Sequence, residues 1–351
     1  MANDKTYRAA VIGLGFIGAA DQVSGDALGQ SVKDLHGTHA QSLARHPRVQ
    51  LVAGASRDPG RRERFEQRLG VGNTYAQWQD MLAKEQLDIV SVATNSPYHA
   101  EISIACAKAG VACVYCEKPL TTKLSDADEL LRVCGAHNTL LVVNHNRRWE
   151  PLFLEARKLV ADGTLGQIHN LMATWPAGRL GNVGTHIFDA MRLILDRDAF
   201  AVAARLNDTG RPDCRGSQYR DPGGWGMIEF EGGPKAFADA AEAISGPCPL
   251  ELVIRGSLGK LQIRGFSEIL TLWNGDEQPI TVDESDLDSV DRAVQEIVDC
   301  LDNGRESSSS GQDGRAAMEI IVGFHVSHRR NGQWTELPLK GPDRDIEVAI
   351  G

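Results

Sequence analysis

The chain is expected to fold as an α/β protein: a Rossmann dinucleotide-binding domain over residues 1–145, then an α+β domain over 146–351 built on a large, mostly antiparallel open sheet. Three observations predict this. A glycine-rich turn, Gly13-Leu14-Gly15-Phe16-Ile17-Gly18, follows directly on the apolar run Tyr7 to Ile12. Strand-like and helix-like segments then alternate as far as Asn144, the pattern of a doubly wound parallel sheet. Beyond Asn146 the alternation gives way to successive strand-like runs, the pattern of an open sheet.

The first run, Tyr7 to Ile12, ends on Gly13, where glycines permit the sharp turn and close backbone approach that a pyrophosphate needs. Polar, glycine-containing sequence from Asp21 to Gly37 is then inserted before helical character resumes at Thr38-His39-Ala40. An insertion beside a phosphate turn suits a cover for the cofactor, a contact with a neighbouring subunit, or a passive surface loop. Val49 to Ala55 supplies the second strand. Its end normally carries an acid for the ribose hydroxyls, but here it reads Ser56-Arg57, with Arg61 and Arg62 beyond. A hydroxyl and a guanidinium suit a 2′-phosphate, so the cofactor expected is NADP(H), with NAD(H) the alternative.

Leu87 to Thr94 is the next strand, Tyr98 to Gly110 a helix with His99 in its first turn, and Val111 to Cys116 a further strand. That strand delivers Glu117-Lys118-Pro119 to the edge of the sheet where ligands bind. A helix near Ser125 to His137 and a strand from Leu140 to Asn144 complete the domain. In the second half, strands are expected at Ile168 to Trp175, Met227 to Phe230, Leu250 to Arg255, Lys260 to Ile263 and Ile269 to Trp273. Leu287, Val290, Val294, Ile297 and Leu301 recur at helical spacing and read as core. Trp175, Arg179, Tyr219 and Trp225 suit a sugar cleft by residue type.

With 351 residues, 42% of them hydrophobic, the chain can bury two ordinary cores. A formal charge of -10 without a long basic run argues against nucleic acid or an anionic membrane as the main partner. The short polar start before the first strand and the absence of a long apolar run predict a soluble, cytoplasmic protein. Seven cysteines are scattered, and Cys113 and Cys116, three apart on a strand, point to opposite faces. The ten histidines show no metal-ligand spacing, so no metal is expected.

Together Gly13-Leu14-Gly15-Phe16-Ile17-Gly18, Thr94 with His99, Glu117-Lys118-Pro119, Asn146-Arg147-Arg148 and Gly184-Thr185-His186-Ile187-Phe188-Asp189 resemble the Gfo/Idh/MocA family of sugar and cyclitol oxidoreductases. The resemblance spans most of the chain. It implies that Lys118 and His186 are catalytic, the ammonium binding the reacting hydroxyl and the imidazole acting as general acid/base. It implies substrate contacts at Lys118, Asn146, Arg148, Asn182, His186 and Asp189, with Asp189 also supporting its helix. Cofactor contacts would come from Gly13, Gly15, Phe16, Ile17, Gly18, Ser56, Arg57, Thr94, Asn95, His99, Glu117 and Lys118. A homo-oligomer packed through the open sheet, a dimer or tetramer, is implied as well. Two positions depart from the family pattern: Asn182 stands where many members have aspartate, and Thr94-Asn95-Ser96-Pro97 where they commonly read Thr-Pro-Asn. The expected activity is hydride transfer between NAD(P) and a secondary hydroxyl or ketone of a sugar, cyclitol or nucleotide sugar. A silent cofactor-binding regulator and a cofactor-retaining glycosidase are the alternatives.

Overall fold

The computed structural model describes residues 5–27, 37–176, 178–207, 215–241, 250–264, 267–280, 282 and 285–351. The chain divides into two compact units. The first comprises residues 1–121, 126–149 and 285–314; the second comprises 122–125, 150–284 and 315–351. In place of a single division after residue 145, the segments interleave.

The first unit carries β1 (Tyr7–Ile12), α1 (Phe16–Ala19), α2 (Gln22–Ala27), α3 (His39–Arg45), β2 (Val49–Ala55), α4 (Pro59–Leu69), β3 (Asn73–Tyr75) and α5 (Trp78–Lys84). It continues with β4 (Ile89–Val92), α6 (His99–Lys108), β5 (Cys113–Cys116), most of α7 (Leu124–Ala136) and β6 (Leu140–Val143). Its six strands are all parallel, in the order β3-β2-β1-β4-β5-β6. Helices cover both faces, so strand residues are buried on both sides, and every residue of β4 and β5 is buried. Alternate residues serve opposite cores: Val11, Cys113 and Tyr115 pack on one face, Ile12, Val114 and Cys116 on the other. The three-residue β3 was not expected from the sequence.

The second unit carries α8 (Pro151–Ala161), β7 (Ile168–Pro176), α9 (Gly184–Leu195), β8 (Ala199–Asn207), β9 (Gly223–Phe230), β10 (Lys235–Ala241), β11 (Glu251–Gly256), β12 (Gly259–Arg264), β13 (Ser267–Leu272) and β14 (Glu277–Pro279). The late amphipathic helix α10 (Ser289–Asn303) returns to the first unit, where Val290, Val294 and Ile297 are buried with α3 residues. Leu287 precedes this helix and is exposed. Helix α11 (Gly311–Arg329) and the short β15 (Thr335–Glu336) lead to the C-terminus.

The second sheet has nine strands in the order β14-β13-β12-β11-β7-β10-β9-β8-β15. Every pairing is antiparallel except β10 with β7. One face is packed: Leu171, Ala173 and Trp175 of β7 and Ile228 and Phe230 of β9 join Phe188 and Phe324 in one core. Gly226 belongs to this face because a Cβ there would lie 2.6 Å from the Phe324 ring. The opposite face shows Met172, Trp225 and Met227 to solvent.

Candidate active site

The phosphate turn sits where the strand order reverses, between β1 and β4. Gly13 has φ +100°, and a Cβ on it would lie 2.4 Å from the Ala93 carbonyl oxygen at the end of β4. A Cβ on Gly18 would lie 1.9 Å from the Gly13 oxygen. These two glycines are therefore required for packing of the turn. Gly15 differs: among the described residues a Cβ there would meet only the Arg61 guanidinium, at 3.8 Å. That open space over the first turn of α1 fits a dinucleotide's pyrophosphate, with Phe16 and Ile17 opening the helix.

Helix α1 lasts one turn and stops at Ala20, which is left-handed with φ 51°. The inserted segment starts at Asp21, a buried carboxylate that accepts from Ser24 and, at 2.5 Å, from Arg64 of α4. Burial alone would raise the Asp21 pKa, but the hydrogen bonds from Arg64 and Ser24 hold it below the ordinary value. Arg68 donates to the Ala19 and Ala20 carbonyls, so α4 grips the beginning of the insertion. Residues 28–36 of that insertion lie outside the described residues.

At the end of β2, Ser56 is partly buried and Arg57 exposed, its guanidinium 5.9 Å from the Tyr98 ring. Arg62 donates to the Ser56 and Arg57 carbonyls, and Asp58 caps α4 by accepting from Arg61 N.

Lys118 is half-buried at the edge of the sheet directly after β5 and Glu117. Its backbone N donates to Glu117 Oε2 at 3.1 Å. The other carboxylate oxygen, Oε1, accepts from Asn144 Nδ2 at 2.6 Å and faces His39 Nε2 at 2.9 Å. Ser91 Oγ lies 2.7 Å from His39 Nδ1, and Tyr115 donates to Asn144 Oδ1 at 2.7 Å. All five supporting residues are buried. Burial by itself would push Glu117 up; His39 first, then Lys118 and Asn144, pull it down to about 2. Sequence reading missed His39, Ser91, Tyr115 and Asn144 as a group. The available signal was polarity inside apolar strands, Ser91 in β4 and Asn144 just after β6.

His99 faces two backbone carbonyls, Pro119 at 2.8 Å from Nδ1 and Thr94 at 2.9 Å from Nε2. It is buried and ties the Thr94-Asn95 loop to the Lys118-Pro119 loop. Arg148 is buried too: it donates to the Ser308 carbonyl at 2.7 Å and to Asp313 at 2.9 Å. The charge expected for substrate is used there to hold the 3-10 turn Asn146–Trp149. Asn146, in the same turn, is partly exposed.

In the second unit, Asn182 precedes α9 and His186 lies in its first turn, partly exposed, on a helix whose other residues apart from Arg192 are buried. Asp221 accepts from Gly181 N at 2.7 Å and Asn182 N at 2.8 Å. Arg215 donates to Asn182 Oδ1 and to the Gly351 carbonyl. Asp189 is wholly buried, 3.7 Å from Arg192 one turn on, so it braces the helix. Trp175 is core, its Nε1 donating to the Gly178 carbonyl, while Trp225 is exposed and stacked near Phe237. Cys106, Cys113, Cys116, Cys134 and Cys300 are free and buried, and burial pushes their thiols up. Among the described residues, no cluster of three or more metal-ligating side chains occurs and no helix is long and apolar enough to cross a membrane.

A glycine turn at the switch point of a 3-2-1-4-5-6 parallel sheet, with a lysine at the end of β5, defines a nicotinamide-dependent oxidoreductase class. Residues 7–145 match the Gfo/Idh/MocA profile, an oxidoreductase family with an NAD-binding Rossmann fold. The chain is 30% identical over 323 residues to D-apiose dehydrogenase of Paraburkholderia graminis, covering 82% of this chain and 83% of that protein. It is 25% identical over 313 residues to myo-inositol 2-dehydrogenase of Thermotoga maritima, covering 82% and 90%. Its fold matches an inositol dehydrogenase homologue from Azotobacter vinelandii, solved with NADH and myo-inositol, at TM-score 0.77 and 19% identity over 95% of this chain and 98% of that one. The chain belongs to the Gfo/Idh/MocA family and is a nicotinamide-dependent oxidoreductase.

Proposed function

We propose that the protein oxidises a secondary hydroxyl of a sugar, cyclitol or nucleotide sugar, or reduces the corresponding ketone, with Lys118 and His186 carrying the proton chemistry. The observation that carries this reading is Lys118 at the ligand-binding edge of the parallel sheet, held to a buried, ionised Glu117. A bound nicotinamide would supply the hydride acceptor or donor for the carbinol carbon. The Lys118 ammonium donates a hydrogen bond to the reacting oxygen and favours its alkoxide character. His186 takes the hydroxyl proton in oxidation and gives it back in reduction. Asn182 and Asn146 bind neighbouring hydroxyls as neutral amides, and Asp189 keeps α9 in place through Arg192.

The Gly13–Gly18 turn, Thr94 and Asn95 hold the dinucleotide in this account, with His99 and Glu117 fixing the loops around it. NADP(H) is the cofactor we propose, because Ser56 and not an acid directly follows β2 and exposed Arg57 offers a guanidinium there. We further propose a cytoplasmic homo-oligomer, its second copy covering the open face of the second sheet. Met172, Trp225 and Met227 are 37%, 45% and 41% exposed on that face, apolar surface that association would bury.

The test is a panel of polyols and keto sugars offered with each nicotinamide, read by the absorbance of the reduced cofactor. Net oxidation or reduction is expected with at least one polyol or sugar. Tight cofactor binding without net redox change on any of them would contradict the reading, and aglycone release without net change would replace it with a glycosidase.

A further inference from the structure

We propose that His39 is a positioning residue for the redox step: through the Glu117 carboxylate it fixes the backbone from which Lys118 projects. This rests on Lys118 serving the reaction as described above.

A buried carboxylate is costly unless each oxygen is matched by a donor. Glu117 is 5% exposed and meets three: the Lys118 amide, the Asn144 amide and the His39 imidazole. Two of these donors are themselves oriented. The Tyr115 hydroxyl donates to Asn144 Oδ1, which leaves Asn144 Nδ2 toward Glu117. The Ser91 hydroxyl stands at His39 Nδ1, so by donating there it leaves the imidazole proton on Nε2, aimed at the carboxylate. The Tyr115 ring lies 4.5 Å from the His39 ring and limits its rotation.

The support reaches further along the chain. Gly37 N, two residues before His39, donates at 2.6 Å to Asp288 Oδ2, and the other oxygen of Asp288 caps α10. Arg45 at the far end of α3 pairs with Asp291 of α10 at 2.8 Å. Helix α3 is thus pinned at both ends by α10. Glu117 N is in turn held by the Val92 carbonyl at 2.8 Å. A core needing only stability is served as well by apolar side chains of similar volume as by a buried ionic group. Here His39 and Asn144, themselves held by Ser91 and Tyr115, converge instead on one carboxylate oxygen behind one loop. The chemistry that calls for such support is orientation of the adjoining ammonium.

The experiment compares His39→Leu, His39→Gln and Ser91→Ala in the full-length protein with cofactor. Turnover of His39→Leu is expected to fall roughly a hundredfold, as for an ångström-scale misplacement, with KM and cofactor affinity within about threefold of wild type. His39→Gln restores a donor toward Glu117 and should regain about a tenth or more of wild-type turnover. Ser91→Ala, which deletes one hydroxyl, should lose about three- to tenfold and covers the case in which His39→Leu does not fold. A second readout does not depend on turnover: the rate at which an amine-acylating reagent labels Lys118, followed by mass spectrometry. It should change about fivefold or more in His39→Leu and return toward wild type in His39→Gln. Unchanged turnover and labelling in the His39 variants would overturn the inference, as would parallel loss of cofactor affinity and turnover without rescue by glutamine. A wild type that oxidises none of the polyols defeats the reading of Lys118 as catalytic, while the labelling rates still decide whether His39 positions it.

Discussion

Each unit contains a buried carboxylate that holds the backbone beside a proposed catalytic side chain, and the two do so by different means. Glu117 in the first unit gathers side-chain donors from α3 and the end of β6 together with the Lys118 amide. Asp221 in the second unit accepts two successive backbone amides, Gly181 and Asn182, and so fixes the approach to α9. The first anchor depends on several distant side chains and can be detuned at any of them. The second depends on one carboxylate and on a glycine: a Cβ on Gly181 would lie 2.2 Å from Ile350.

The largest effect that sharpens this comparison is at the side chain the second anchor serves. His186→Ala should reduce turnover roughly 10²–10⁴-fold while leaving cofactor affinity unchanged, the magnitude usual for a general acid/base. Cofactor titration alongside steady-state rates checks it.

Acid separates the units next. His325 on α11, partly buried, is lowered to about 4 by desolvation, then by Arg329 and His328. The unfolded chain takes up its proton near the ordinary 6.5 and the folded one resists, so stability from this site is full above 6.5 and falls as pH drops toward 4. The loss amounts to about 3 kcal/mol at most. Glu117, held at about 2, contributes stability that starts to go only below its ordinary 4.5. Denaturant titrations from pH 7 to 4 should show the first loss in wild type, and His325→Gln should flatten it. An unaltered slope in that variant would remove His325 as the cause.

Asp221→Ala leaves two backbone donors without their acceptor and should cost on the order of 2–3 kcal/mol by denaturant unfolding. A cost as small as that of a surface substitution would show that the two anchors are not equivalent.

The smallest effect concerns the cofactor. Arg57→Ala should weaken NADPH by about 1.5–3 kcal/mol and leave NADH nearly unchanged, as expected for one charged hydrogen bond. Titrating both cofactors into both proteins checks it, and a wild type that prefers NADH would refute the 2′-phosphate role.

Much of the first unit was legible because its signals are local. A strand running into Gly13, an apolar strand running into Glu117-Lys118, and helix stops at glycine each depend on a few adjacent residues. Four strands of the second sheet were not read. Strands β8 and β10 are rich in alanine, whose weak strand preference is overridden by pairing on both sides. The early part of β9 is glycine-rich for close packing, and β14 and β15 are only three and two residues long. The return of α10 to the first unit was equally hidden: helical spacing identifies an apolar face but not its partner, here α3, more than 240 residues upstream. The same long reach concealed His39, which meets Glu117 across 78 positions. Arg148 shows the converse, a motif position whose charge is engaged by Ser308 and Asp313 within the fold.

The central claim is that Lys118 serves chemistry and not cofactor binding. The measurement is cofactor affinity and turnover of Lys118→Ala beside wild type, on the same substrate and under saturating cofactor. Affinity within a few-fold of wild type with turnover reduced roughly 10²–10⁴-fold is the expected result. Turnover close to wild type, or equal losses of affinity and turnover, would contradict it.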